Sequence, residues 1–408
     1  MSKLEELIKE YCPNGVEYKK IGETLKIERG VRVVKSQLTT QGIYPVYQNS
    51  LTPMGYYDKF NYSAGTAFII GAGSAGEIGY SNIDFWAADD CYCLICNENI
   101  NSRYLYHCLL NNSGYITSKV RKASIPRLSR GVIESLQIPL PALPVQREIV
   151  RILDSFTLYS AELTAELTAR RKQYEFYRDK LLNFSSEIQF LALGDVIVSL
   201  NTGLNPRQFF HLNTPDAKNY YVTIRELQNG KIVFTDKTDK INDFALKLCN
   251  NRSNLEVGDV LFSGTGTIGT TAIIDKPPLN WNIKEGIYAI KPNKRKINSK
   301  FLMYLLQCQS VRDLYLSKAA GGTVQSVPMG EMKKLKIPVP PIEVQERIVK
   351  VLDNFDAICS DLGIGLPAEI EKRQKQYEYY REKLLTFDGK FGTILTDRQT
   401  DRQTDRAD

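Results

Sequence analysis

Histidine is almost absent from this 408-residue chain: His107 and His211 are the only two. Neither has a Ser, Cys or Asp partner by motif, so no nucleophilic triad can be assembled from local patterns. No G-K-[S/T] phosphate loop occurs, which argues against ATP hydrolysis. The usual adenine-methylation tetrapeptide, [DNS]-P-P-[YFW], is also missing; the segment from Lys276 to Asn280 lacks both its leading residue and its aromatic. No run of about 18 uncharged apolar residues is present, so no transmembrane helix is expected. The first fifteen residues spread charge throughout and hold no apolar stretch of signal-peptide length. Eight cysteines are scattered without framework spacing, the pattern of reduced thiols in a cytoplasm. These gaps point to a cytoplasmic, membrane-free chain that performs no chemistry itself.

Charge is modestly basic, 53 Lys and Arg against 46 Asp and Glu for a net +7. Residues 185–340 hold 20 of the cations against 13 acids, so that segment alone equals the whole excess. Such a balance permits a polyanionic partner without demanding one.

An internal repeat organises the chain. IPLPALPVQREIVRILDSF from Ile138 returns as IPVPPIEVQERIVKVLDNF from Ile337, and KQYEFYRDKLLNF from Lys172 as KQYEYYREKLLTF from Lys375. The offsets are 199 and 203 residues, a net insertion of four. Weaker echoes precede them: SRYLYHCLL at Ser102 and SKFLMYLLQ at Ser299, and GEIG at Gly76 set against GTIG at Gly266. The unit is a variable block followed by a well-kept helical block.

In the helical block the prolines act as breakers, with Pro144 and Pro341 suited to a first helical turn. Apolar positions then follow in steps of three and four: Val145, Ile149, Ile152, Phe156, Tyr159, Leu163, Leu167, Tyr174, Tyr177, Leu181 and Phe184. This is a heptad seam with a stutter at Tyr159–Leu163–Leu167. Residues 144–184 would form a rod of about 60 Å at about 1.5 Å per residue. The second copy places Val344, Ile348, Val351, Phe355, Ile358, Leu362, Tyr377, Tyr380, Leu384 and Phe387 likewise, with a break expected around Gly363, Gly365 and Pro367. Two separate surface helices are the alternative. Helices this long need a partner along the seam, which favours antiparallel pairing of the two copies.

The variable blocks, 1–143 and 185–340, read as mixed α and β. Strand-like runs occur at 67–70, 221–224 and 259–262, and amphipathic helices at about 102–111 and 299–308. GAGSAG at Gly71–Gly76 and GTGTIG at Gly264–Gly269 match the dinucleotide pattern G-x-G-x-x-G, yet turn and strand residues follow where a helix is required. Aligned on GEIG and GTIG, the two strings also fall three residues out of register. A glycine-rich hairpin is expected instead. Cys91, Cys93 and Cys96 make zinc conceivable, but they alternate along a strand-like run whose second-half counterparts are Ile287, Ala289 and Pro292, so buried thiols are favoured. Basic and amide side chains recur in turn-rich segments: Arg29, Arg32, Lys35, Gln48 and Asn49; then Lys119, Arg121, Lys122, Arg127 and Arg130 without an intervening acid; then Arg207, Gln208, Arg225, Lys318 and Gln325. Such residues neutralise phosphates or read guanine and adenine edges, so they are candidate DNA contacts.

With the paired helical segments, SAEL-TAEL at 160–167, GLPAEIEKRQKQYEYYR at 365–381, ERGVRVVK and NTGLNPRQ quoted, the chain resembles the specificity subunit of a type I restriction–modification system over residues 1 to about 387. The resemblance implies an α+β architecture: two α/β target recognition domains, separated by two long conserved helices forming an antiparallel coiled coil, in a pseudo-two-fold tandem repeat. The domains would be 1–143 and 185–340, with spacer helices at 144–184 and 341–387. The tail 388–408 departs from the family's pattern: its TDRQ-TDRQ-TDRAD repeat from Thr396 is low-complexity and polar, and disorder is expected there. Each domain would bind one half of an interrupted double-stranded DNA site. The coiled coil, with Ile149, Ile152, Phe156, Leu163, Leu167, Tyr174, Tyr177, Leu181, Ile348, Val351, Phe355, Ile358, Tyr377, Tyr380 and Leu384 in its seam, would set the gap. Two modification subunits would bring S-adenosylmethionine, and restriction subunits ATP and Mg; this chain would bind no cofactor or metal. A self-contained methyltransferase or nuclease with divergent motifs, and a non-specific architectural DNA binder, are the rival readings.

Overall fold

Each half of the chain is built on a four-stranded antiparallel sheet, and the strand order is the same in both. In the computed structural model, which describes residues 2–39, 42–184, 188–322, 324–360 and 365–387, the first sheet runs Lys26–Arg29, Cys91–Ile95, Thr66–Ile70, Ile78–Ser81. The second runs Ile197–Thr202, Ile287–Pro292, Val260–Ser263, Thr271–Ile273. The inner strands are apolar on both faces because both faces are covered. Along Thr66–Ile70, Ala67 and Ile69 point into a core with Tyr104, Leu105 and Leu109, while Phe68 and Ile70 point into an aromatic cluster with Tyr62 and Phe85.

A helix covers one face of each sheet, Ser102–Asn111 and Ser299–Gln307, and each starts at an asparagine whose side chain accepts from the first turn: Asn101 from Tyr104, Asn298 from Lys300 and Phe301. A three-stranded sheet with one parallel pair stands beside each main sheet, Gly55–Tyr57, Tyr44–Tyr47, Trp86–Ala87 and then Lys240–Ile241, Asn219–Val222, Trp281–Ile283. The second half adds the helix Asp243–Ser253. The strand expected at 221–224 ends at Val222, because Thr223 turns to cap the short 3-10 segment Ile224–Glu226.

The compact units are Met1–Leu163 with Ile370–Asp408, and Thr164–Glu369. These bounds differ from domain limits at 143/144, 184/185 and 340/341, because each unit owns parts of two spacer helices. The helices are Leu143–Leu182, 40 residues long, Ile342–Ser360 and Leu366–Leu385. Pro144 and Pro367 lie in first turns, and the second copy is two helices, as its Gly and Pro content implies. Leu362, Gly363 and the tail 388–408 lie outside the described residues. None of the described helices is long and apolar enough to cross a membrane.

The well-kept segments anchor each domain to its helices by the same bonds. Gln146, buried, accepts from the Asn101 N–H at 2.9 Å and donates to the Asn99 and Pro141 carbonyls at 3.0 and 2.8 Å. Gln345 repeats this with Asn298, Lys296 and Pro340 at 2.8, 3.0 and 2.7 Å. Eight residues on, Asp154 accepts from Arg103 and His107, both at 2.9 Å, and His107 meets the Tyr377 hydroxyl at 3.1 Å. In the second unit Asp353 accepts from Lys300 at 2.6 Å and Tyr304 at 2.7 Å.

Within each unit the paired helices run antiparallel. In the first, Phe156 stacks on Tyr380 at 5.3 Å and Arg373 lies over the Tyr159 ring at 5.2 Å. In the second, Tyr177 stacks on Phe355 at 5.7 Å. Ile149, Ile152, Leu163, Ile348, Tyr377, Tyr380 and Leu384 are buried; Phe156, Leu167, Tyr174, Leu181 and Phe355 are half-buried. Tyr177 remains 37% exposed beside its stack. Val351 and Ile358 turn outward, at 42% and 45% exposure, while Leu352 and Cys359 are buried. The reason is that this helix must also face its own domain, whose core takes Ile348, Val349 and Leu352 and rotates the buried stripe by one residue.

Candidate nucleic-acid interface

The two glycine strings occupy one structural position, not positions three residues apart. Gly71 follows strand Thr66–Ile70 as Gly264 follows Val260–Ser263. The Gly71 N–H donates to Asp90 and the Gly264 N–H to Gly286, across the same neighbouring strand. Gly76 closes the turn on Ile70 at 2.8 Å, and Gly269 closes it on Ser263 at 2.9 Å. The GEIG/GTIG alignment is thereby corrected, since a four-letter match outweighed a strand offset. Gly73 and Gly76, like Gly266 and Gly269, have φ between +78° and +98°, which a side chain rarely tolerates. A Cβ on Gly73 would meet Asn49, and one on Gly269 would overlap the Tyr315 hydroxyl.

These turns are hairpins, and they are not pyrophosphate loops. A strand follows each, and the amides of Gly71, Gly73, Ser74 and Gly76 are all spent on backbone carbonyls. They frame instead the segments that carry the cations. Asn49 accepts the Ser74 N–H at 2.8 Å through its carbonyl, and Pro126 accepts the Gly73 N–H at 3.1 Å. The structure thus gathers Gln48–Asn49, the glycine turn and the 121–127 loop at one sheet end. Arg29, at the close of its strand, stands at that end too, with Nε donated to the Asp89 carbonyl.

Lys119, Arg121, Lys122 and Arg127 are exposed and, among the described residues, carry no ion pair; Lys119 lies over the Tyr115 ring at 5.3 Å. Arg130 is taken up by Glu134 at 2.7 Å. Arg32 and Lys35 are exposed on the loop after Arg29. In the second unit Lys318 and Gln325 are exposed on the counterpart of the 119–127 segment. Arg207 is exposed on Pro206–Phe209, in the loop leaving the counterpart of the Arg29 strand. The side chain of Gln208 lies outside the described residues. Arg225 is held by Asp239 at 2.7 Å, so its charge is already matched.

Cys91 and Cys93 lie in an apolar cluster; burial pushes the Cys91 thiol up to about 12 and Cys96 to about 11, and raises Cys93 as well. Among the described residues no group of three His, Cys, Asp or Glu could share a metal ion. Sequence reasoning missed the anchoring pairs Gln146/Gln345 and Asp154/Asp353. Their signal was present in the repeat itself, as polar residues kept at identical positions in an apolar helix face.

The type I restriction modification DNA specificity domain matches this chain twice, at residues 13–170 and 185–372. The chain belongs to that family. A putative type I restriction enzyme specificity subunit of Haemophilus influenzae is 33% identical over 391 residues, 91% of this chain and 96% of that protein. The EcoR124I/EcoR124II specificity subunit of Escherichia coli is 30% identical over 85% of this chain and 83% of its own length. Solved structures share the fold: the S subunit of M. genitalium, at TM-score 0.56 and 16% identity, covers 91% of this chain and 97% of its own. A subunit of a type I system assembly, at TM-score 0.59 and 17% identity, covers 92% and 99%. As a type I specificity subunit, the chain is a DNA-recognition protein and not a catalyst.

Proposed function

We propose that each unit of this specificity subunit reads one half of an interrupted duplex site. The spacer helices set the gap and dock two modification subunits, through which restriction subunits join. S-adenosylmethionine sits on the modification subunits, and ATP and Mg on the restriction subunits. The observation that supports this most is the duplication itself: one sheet, one glycine turn and one set of anchors in each unit, carrying different loops at the same place. Like frames suit like backbones, and unlike loops suit unlike bases. The exposed Lys119–Arg127 cluster adds the charge that phosphate contact needs.

The helices support docking of a repeated partner. Phe176, 61% exposed, and Tyr379, 45% exposed, hold the same position in the two copies of KQYE-F/Y-Y. Two equal apolar sites suit two copies of one partner.

The test is reconstitution. Purified chain and modification subunit, mixed with S-adenosylmethionine labelled in its methyl group, should label duplex DNA only together. Labelling by this chain alone would make it a self-contained methyltransferase and overturn the proposal.

A further inference from the structure

The glycine turns hold the 121–127 loop in the first unit and its counterpart in the second, and that loop is one place where the units differ in sequence. At its base Arg121 and Arg127 exchange backbone bonds at 2.8 and 3.2 Å, and Ala320 and Ser326 exchange theirs at 2.8 Å each way. Its far flank is clamped to the glycine turn. Gly73 donates to Pro126 at 3.1 Å and Leu128 to Gly71 at 2.8 Å; Gly266 donates to Gln325 and Val327 to Gly264, both at 2.9 Å. Every one of these bonds is backbone to backbone. The clamp is therefore made without side-chain hydrogen bonds, so exposed side chains on the loop, such as Lys122 and Gln325, can change while its base stays in place.

Its sequence does change. The first finger carries Lys122, Ile125, Pro126 and, at its base, Arg127, where the second carries Gly321, Val324, Gln325 and Ser326. Two features are shared. Ile125 and Val324, at the same place, are 54% and 60% exposed, so both fingers present an aliphatic side chain to solvent at one position. Lys119 and Lys318, where each finger begins, follow the same turn, donating their N–H to Ile116 and Tyr315 at 3.1 Å.

Resting on the DNA-reading role proposed above, we infer that these two fingers determine the half-sites. Lys119 and Lys318 take the phosphates common to all DNA. The finger tips meet base edges, where Ile125 and Val324 suit a thymine methyl group. Lys122 and Arg127 can donate to guanine O6 and N7, and Gln325 can pair with adenine N6 and N7. The first unit then reads a half-site with an essential guanine, and the second one with an essential adenine beyond any base that is methylated.

Methylation-motif sequencing of cells carrying the modification subunit, with the chain as wild type or as Arg127→Ala, Lys122→Ala, Gln325→Ala or Lys119→Ala, tests this. Arg127→Ala and Lys122→Ala should relax a guanine in one half by about tenfold or more, leaving the other half and the gap intact. Gln325→Ala should relax the opposite half. Lys119→Ala should keep the motif, lower its occupancy, and reduce the salt slope of binding by about one. Unchanged motifs in the Arg127, Lys122 and Gln325 variants, each co-purifying with its partner at wild-type level, would overturn the fingers and leave the subunit role standing. A wild-type chain that produces no two-part motif would overturn that role itself, and the fingers with it.

Discussion

Asp154 and Asp353 anchor equivalent helices with different neighbours, and the difference is chemical. Burial holds His107 below the ordinary histidine value of 6.5, even though Asp154 pulls the other way. Its ring is therefore neutral in the folded chain at a pH where the unfolded chain is protonated. Stability is full above about 6.5 and falls as the pH drops through that value. Asp154 adds to this at lower pH: burial works to raise its pKa, but the bonds from His107 and Arg103 outweigh it and hold the carboxyl below 3.8. The second unit has Tyr304 in place of His107, a phenol that burial and Asp353 push upward, so the partner of Asp353 is not a group that titrates near 6.5. Acidification from pH 7.5 to 5.5 should thus loosen the first unit, seen as faster amide exchange in Ser102–Asn111 than in Ser299–Gln307, and His107→Tyr should remove the difference. Gln146→Ala should cost about 1–2 kcal/mol in thermal or denaturant unfolding, because it strips the buried Pro141 carbonyl and the half-buried Asn101 N–H of their partner; Gln345→Ala, which frees the buried Pro340 carbonyl and the half-buried Asn298 N–H, should cost about the same.

At the scale of elements, the helix Leu143–Leu182 carries SAEL-TAEL across the boundary between the units at Leu163/Thr164. Four residues add about 6 Å of helix and turn it by about 40°, against a rise of about 3.4 Å per base pair. Deleting Thr164–Leu167 should shorten the tolerated gap by one or two base pairs and leave both half-sites alone; an unchanged gap in the methylated motif would remove the ruler. Phe176→Ala and Tyr379→Ala should each weaken capture of the modification subunit without lowering the melting temperature, since neither ring is in a core, and the double variant should abolish capture. The helical block was legible in sequence because it is repeated and periodic, down to the break near Pro367. Sheet order was not legible, since strand pairing joins residues far apart in sequence, such as Ile27 with Leu94. The register of the glycine turns went astray for a related reason: short identities compete when strand offsets differ. Val351 and Ile358 were placed in the seam because spacing follows one stripe, whereas that helix buries two.

At the scale of the molecule, the chain is one design used twice, and the two uses differ where DNA sequence would be read. Its candidate cations were visible as residue types, but burial and pairing sorted them. Arg225 and Arg130 are matched by acids, whereas Lys119, Arg121, Lys122 and Arg127 stand exposed. The most direct measurement is a methylome of cells expressing the chain with its modification subunit, against cells lacking the chain. The account predicts a new methyladenine motif in two parts separated by a fixed gap. A single uninterrupted motif, or no new motif where the two proteins co-purify, would contradict it.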